Sequence, residues 1–211
     1  MEHPALIIYI LGAVVFGTVA CMHLARTNLT LVRLYALQAL VVSILLFVLG
    51  ANHEERLLAL VVIVAIFTLK VVIIPYLLSS LVHRTRSTFI EGAYLSVPWI
   101  LLGMLVVVFV VHASLASLSG TPLALLLAGL FVAIMLVVNS KGAISQIVGI
   151  LAAENCVALF AALLMLSGNV GLELGILFDT VCFVLVTSTL AGMMHKRLNT
   201  LDVSSMNRLA E

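Results

Sequence analysis

The sequence predicts an all-α protein, a polytopic membrane helix bundle of about seven transmembrane helices. The chain has 211 residues, of which 64% are hydrophobic and only 9% are charged, whereas soluble domains are about one quarter charged. Its apolar stretches run for about twenty residues without the alternation that marks a membrane β-strand. Since backbone amides in lipid must be satisfied internally, these stretches are predicted to be helices.

The hydropathy pattern places the spans in order along the chain, each separated from the next by a short link rich in polar, Gly or Ser residues. The N-terminus lacks the positive region of a secretory signal, so the first stretch is predicted to be an uncleaved span. Short links favour antiparallel, adjacent helices. The predicted spans are 5–24, 31–50, 57–82, 98–117, 122–139, 143–166 and 171–194.

We expect one integral membrane domain, 1–211, built from an N-terminal three-helix unit (1–97), a linking helix (98–121) and a three-helix unit with a tail (122–211). Basic residues predict its orientation. With the N-terminus outside and the C-terminus inside, only Arg56 falls outside. The inner side then holds or adjoins eight basic residues: Arg26, Arg33, Arg84, Arg86, Lys141, Lys196, Arg197 and Arg208.

Composition and motifs argue against several function classes. A net charge of +1 gives no electrostatic case for nucleic-acid binding. The three cysteines, Cys21, Cys156 and Cys182, form no CxxC motif, which argues against iron–sulfur, zinc and disulfide sites. No nucleophile–base arrangement or phosphate loop is evident in the sequence. We therefore expect no cofactor, no metal and no catalysis by this chain alone.

Three ionisable residues lie deep inside apolar runs: Lys70, Glu154 and Asp179. A charge at the bilayer centre costs about 2.5–3.5 kcal/mol on insertion scales, and such residues usually mark ion or proton paths. The alternative is structural, with each group tying helices together as a hydrogen-bonded or paired side chain. The sequence leaves open whether Lys70 pairs with Glu154 or with Asp179. Pro75 is predicted to disturb the helix near Lys70.

Three further polar residues are candidates for the same path. Asn155 directly follows Glu154, and Gln38 lies at mid-depth in the second span, where it is expected to bond across helices. His112 lies near the outer end of the fourth span and could serve proton exit.

Five segments resemble the hydrogenase-4 component E family, membrane subunits of group 4 hydrogenase and formate hydrogenlyase-type complexes. They are YALQALVVS, FTLKVVIIPYLL, ENCVALFAALL, FDTVCFVLV and the tail LNTLDVSSMNRLAE, and the likeness runs from about Arg26 to the C-terminus. The last three spans are also similar to the K subunit of respiratory complex I. That resemblance implies that Glu154 and Asp179 stand for the two glutamates of its proton-transfer axis, although both are displaced by about one turn and the second is Asp.

The resemblance implies a non-catalytic subunit of a complex I-like assembly in the inner (plasma) membrane of a prokaryotic cell, with antiporter-like and other membrane-arm subunits as partners. In this hypothesis Lys70, Glu154 and Asp179 carry part of a proton or sodium path. Two alternatives stay open. The chain could be a structural linker of the same membrane arm without ion conduction, or a self-contained transporter of a small cation.

Overall fold

The protein is all-helical wherever its structure is described, which confirms the all-α part of the predicted fold class. The structure is a computed structural model that describes residues 3–50, 61, 64–115, 122–165, 179–189 and 191–193. Over these ranges there is no β-strand, only two isolated bridges between connecting segments. The predicted link that contains Arg56 and the predicted C-terminal tail with Lys196, Arg197 and Arg208 lie outside the described residues.

Seven helices occupy the described residues, each at the place of one predicted span. They are α1 (His3–Met22), α2 (Asn28–Gly50), α3 (Val64–Thr85), α4 (Val97–Ser114), α5 (Pro122–Asn139), α6 (Ala143–Met165) and α7 (Asp179–Met193). Prolines mark the starts of α4 and α5, where a missing backbone N–H costs nothing.

Four of these helices are long and apolar enough to cross a membrane: α2, α3, α4 and α6. The remaining three helices contain shorter apolar stretches of 10–17 residues, which are Leu6–Met22, Leu123–Asn139 and Asp179–Met193. The protein is therefore membrane-like, and the number of seven crossings stays a prediction.

Two helical hairpins form the centre of the bundle. Helices α1 and α2 pack together, α5 and α6 pack together, and the two pairs meet through α1 against α5 and α2 against α6. Helix α3 packs on α2, and α4 packs on α5. Gly149 on α6 lets this helix pack closely against α5. A Cβ at this position would lie 2.7 Å from Val137 Cγ2 and 3.2 Å from the Val137 backbone nitrogen, which is too close for any residue with a side chain unless Val137 moves.

One end of the bundle is closed by segment 86–96, which connects α3 to α4. This segment bridges to both hairpin turns, through Thr27 with Phe89 and through Ala93 with Ser140. The side-chain nitrogen of Asn28 (Nδ2), at the start of α2, donates to the Phe89 carbonyl at 3.1 Å. The two turns and the end of α3 therefore meet at one end of the protein.

Four of the basic residues predicted for the inner side lie in these connections or in the last turn of α3, at the same end: Arg26, Arg84, Arg86 and Lys141. The Lys141 ammonium lies 5.0 Å from the centre of the Tyr94 ring, within the range of a cation–π interaction. The fold thus gathers these charges at one end, as the predicted topology requires.

Candidate functional site

Helix α3 leaves α-helical geometry where it carries Lys70. Residues Thr68–Ile73 form a π-helix, and the Ile74 N–H donates to the Leu69 carbonyl, five residues earlier. Pro75 follows at once and has no N–H to donate, so α-helical bonding is already interrupted here. The disturbance that the sequence predicts near Lys70 is therefore an inserted residue in the turn, a feature common at functional sites.

Lys70 and Glu154 form a buried ion pair between α3 and α6. The Lys70 ammonium donates to Glu154 Oε1 at 2.7 Å and to Asn155 Oδ1 at 3.2 Å. The Lys70 side chain is 3% exposed and the Glu154 side chain 16%, so the pair is shielded on the lysine side and reaches the chain surface on the carboxylate side. Of the two pairings left open by the sequence, the structure selects Glu154.

Helix α7 contributes a hydroxyl to the same carboxylate. Thr180, which is fully buried, donates a hydrogen bond to Glu154 Oε1. This oxygen thus receives a charged donor from α3 and a neutral donor from α7. Charge-assisted hydrogen bonds of this kind stabilise an ionised carboxylate, and pairing offsets part of the cost of burying each charge. Three helices therefore converge on one carboxylate oxygen.

Helix α2 forms the fourth wall of the site. Gln38 is fully buried, and its amide nitrogen approaches the Ala152 carbonyl at 3.4 Å and Cys156 Sγ at 3.8 Å, both on α6. Gln38 thus bonds across helices, as its position predicts. Tyr35, one turn earlier on α2, is also fully buried. It lies near enough to Glu154 for the carboxylate charge to act on the tyrosine hydroxyl. We name the set Lys70, Glu154, Asn155, Thr180, Gln38 and Tyr35 the polar seam.

Asp179 does not join the polar seam. Its side chain is exposed, and within the described residues it makes no hydrogen bond or ion pair, whereas the neighbouring Thr180 points inward. Thr180 carries no distinctive signal in the sequence, because Thr in membrane helices often bonds to its own helix. The only signal for Tyr35 is its three-residue spacing to Gln38 on one helix face.

His112 lies apart from the polar seam, in an open apolar groove between α1 and α4. The groove has a volume of about 490 Å³, and its walls include Phe16, Ala20 and Met104. His112 is exposed there and has almost exclusively apolar neighbours. The structure therefore brings together Lys70, Glu154, Asn155 and Gln38 among the predicted path residues, and leaves Asp179 and His112 outside that set.

The arrangement can hold and exchange a proton. A Lys–Glu pair can exist as two ions or as two neutral groups, and a change in the field around it shifts the balance between these states. Over the described residues, no three His, Cys, Asp or Glu side chains lie together in a way that could hold a metal ion. The groups of the polar seam are compatible with a fixed ion pair, with proton exchange, or with competition between the ammonium and another cation.

Comparison with known proteins finds no match for this chain among protein-family models, curated proteins or solved structures.

Proposed function

We propose that this chain is a non-catalytic membrane subunit of a complex I-like or group 4 hydrogenase-type assembly, and that its polar seam carries part of a proton or sodium path. The observation that carries the proposal is the buried pair of Lys70 and Glu154 in helices that are otherwise apolar. A helix that served only as an anchor would avoid the cost of burying two charges. The family named here rests on the sequence resemblance alone.

The exposure of Glu154 suggests how the path continues. Lys70 is enclosed, whereas the carboxylate is partly accessible at the surface of the chain. A proton released by the pair would leave on that side. Asp179 is exposed one residue before Thr180, so in this proposal it faces a neighbouring antiporter-like or other membrane-arm subunit and hands the proton on.

Membrane location and orientation complete the proposal. Seven crossings with the N-terminus outside place the C-terminus and the basic end of the bundle in the cytoplasm of a prokaryotic cell. The gathering of Arg26, Arg84, Arg86 and Lys141 at one end supports this orientation, because positive residues favour the cytoplasmic side.

A structural linker is the second candidate, and one observation favours it. The same contacts that would carry a proton also tie α3, α6 and α7 together at one carboxylate. A fully paired lysine can act as an inert fastener that fixes the register of the helices. A structural linker and a proton path would both show the contacts seen here. Glu154 would gain and lose a proton in a path, and it would keep one protonation state in a linker.

The deciding experiment replaces Glu154 with Gln in the assembled host complex. Gln keeps the shape and can still accept from Lys70 and Thr180, but it cannot bind and release a proton at neutral pH. We expect translocated protons per electron to fall about tenfold or more while the complex still assembles. The matched control is Glu91→Gln, the same chemical change in segment 86–96, and it should leave pumping unchanged.

Two outcomes would redirect the proposal. Normal pumping by the Glu154→Gln complex would remove Glu154 from the path and leave the linker. Ion flux through the purified chain reconstituted alone in vesicles would instead identify a self-contained cation transporter.

A further inference from the structure

Three buried polar atoms in the polar seam have no hydrogen-bond partner among the described residues. They are the Tyr35 hydroxyl, Gln38 Oε1 and Asn155 Nδ2. All three residues are fully buried, with no measurable exposed fraction. A buried polar atom without a partner costs about 1–3 kcal/mol, so three of them together need an explanation. Their common location between α2 and α6 points to a single cause.

The orientation of both amides follows from their other contacts. Lys70 can only donate, so the Asn155 atom that it contacts is the oxygen and Nδ2 points elsewhere. The Gln38 atom facing the Ala152 carbonyl must be the amide nitrogen, which leaves Oε1 on the opposite side. An exchanged assignment of amide oxygen and nitrogen therefore does not remove the unpaired atoms.

The three residues belong to one region of the contact between α2 and α6. Tyr35 and Gln38 are three residues apart on α2 and so share a face. Gln38 reaches α6 at Ala152 and Cys156, on either side of Asn155 along the helix. Tyr35 lies within Coulombic range of Glu154, the residue before Asn155. Tyr35 and Gln38 thus share one face of α2, and Gln38 places that face against the segment of α6 that carries the ion pair.

Their chemistry is complementary to water. Asn155 Nδ2 is a donor, Gln38 Oε1 is an acceptor, and a tyrosine hydroxyl is both. A water molecule offers two donors and two acceptors, and buried waters typically make about three hydrogen bonds to protein groups that would otherwise lack partners. The adjacent pair of Lys70 and Glu154 has no net charge to favour a cation or an anion, so a neutral ligand fits these donors and acceptors best.

We propose that α2 and α6 hold a buried hydration site of one or two water molecules, bound by Tyr35, Gln38 and Asn155. These waters extend the hydrogen-bonded network of the ion pair to α2. Tyr35 is then a positioning residue that orients water beside Glu154. The existence of the waters is independent of the proposed function, whereas their use in proton transfer rests on it.

Radiolytic hydroxyl footprinting of the full-length chain in lipid nanodiscs tests the waters directly. Radicals formed from bound water oxidise side chains beside it even when these are buried. Cys156 is buried at the proposed site, whereas Tyr94 is exposed in segment 86–96, outside the predicted spans, and reports bulk labelling. We expect Cys156 and Tyr35 to be oxidised on the timescale of Tyr94. Protection of both Cys156 and Tyr35 would overturn the site.

Tyr35→Phe tests the anchoring role, because it removes only the hydroxyl. We expect labelling of Cys156 to fall at least threefold in this variant. The control is Tyr76→Phe, on the exposed side of α3 with 72% of Tyr76 accessible, and it should leave that labelling unchanged. Unchanged Cys156 labelling in Tyr35→Phe would overturn Tyr35 as an anchor. So would a high-resolution map in which Asn155 Nδ2 contacts Gln38 Oε1 directly.

The transport readout separates this proposal from the proposed function. In the assembled complex, Tyr35→Phe should lower proton translocation and change its pH profile, whereas Tyr76→Phe should do neither. If Glu154→Gln pumps normally but Cys156 is still labelled, the path is wrong and the hydration site stands. If Glu154→Gln fails to pump and Cys156 is protected, the path stands and the hydration site is wrong.

Discussion

Glu154 and Asp179 are both carboxylates inside apolar runs, yet the fold treats them differently. Glu154 is largely buried and receives hydrogen bonds from Lys70 and Thr180, whereas Asp179 is exposed on α7. Because the partners of Glu154 lie within this chain, its structural role can be tested on the isolated protein. Asp179 has no such partner among the described residues, so a role for it would have to come from a neighbouring molecule in the membrane. The two carboxylates therefore call for different experiments.

The largest effect is expected from breaking the internal pair. Lys70→Ala leaves the Glu154 carboxylate without its cation, and removal of one partner of a buried pair costs about 3–5 kcal/mol. We expect a loss of that order in the free energy of unfolding of the detergent-solubilised chain, measured by denaturant titration. Lys141→Ala is the control, since it removes a cation–π contact at the basic end worth about 0.5–1 kcal/mol.

The double variant Lys70→Met, Glu154→Leu sharpens this result. Replacing a buried pair with apolar residues of similar volume is often neutral or stabilising. We expect its stability to return to within about 1 kcal/mol of the wild type, and the coupling between the two sites to be visible in a double-mutant cycle. Losses that simply add would show that the two charges do not interact.

The next effect concerns the π-helix that presents Lys70. Deleting Val72 removes the extra residue, so Lys70 rotates by about 100° relative to the helix after Pro75. We expect proton translocation by the assembled complex to fall nearly as far as in Glu154→Gln. Val72→Ala keeps the chain length and should translocate normally. Full activity of the deletion variant would show that the π-helix does not position the lysine.

Thr180→Val gives a smaller effect, because it removes one hydroxyl from an otherwise similar side chain. A hydrogen bond to a charged group is worth about 1.5–3 kcal/mol, and we expect a loss near the lower limit because Lys70 still pairs with Glu154. Thr187→Val is the control, since the Thr187 hydroxyl bonds only to backbone carbonyls of its own helix. Equal losses in the two variants would contradict a specific role for Thr180.

The smallest effect on the isolated chain is expected at Asp179. Asp179→Asn should change the free energy of unfolding by less than about 0.5 kcal/mol, as is usual for exposed positions. If a neighbouring subunit meets this face, as we propose, the same variant should lower proton translocation in the assembled complex. A stability loss as large as that of Lys70→Ala would show that Asp179 belongs to the internal site.

The sequence predicts the helices well because their signal is local. Long apolar runs separated by polar links predicted each helix close to where it is found. Charged residues are costly to bury in such runs, and this cost identified Lys70 and Glu154 as candidate functional residues. The number of membrane crossings was predicted as seven, of which four are supported by length and composition within the described residues.

The partners of each charge were not predictable, because they depend on which way a side chain faces. The π-helix shifts the face of Lys70 by a fraction of a turn that the 3.6-residue period does not contain. On α7, a rotation of one residue decides whether Asp179 or Thr180 points inward. Tyr35 gave no sequence signal beyond its three-residue spacing to Gln38, since tyrosine is common in apolar helices and its hydroxyl matters only through packing.

The central claim is that Glu154 gains and loses a proton during turnover, and difference infrared spectroscopy of the assembled complex tests it most directly. A protonated carboxyl group in an apolar site gives a resolved C=O band. We predict a carboxyl band that appears and disappears with turnover and is absent in Glu154→Gln but kept in Asp179→Asn. A turnover spectrum identical in wild type and Glu154→Gln would contradict the claim and leave the ion pair as a fixed link between helices.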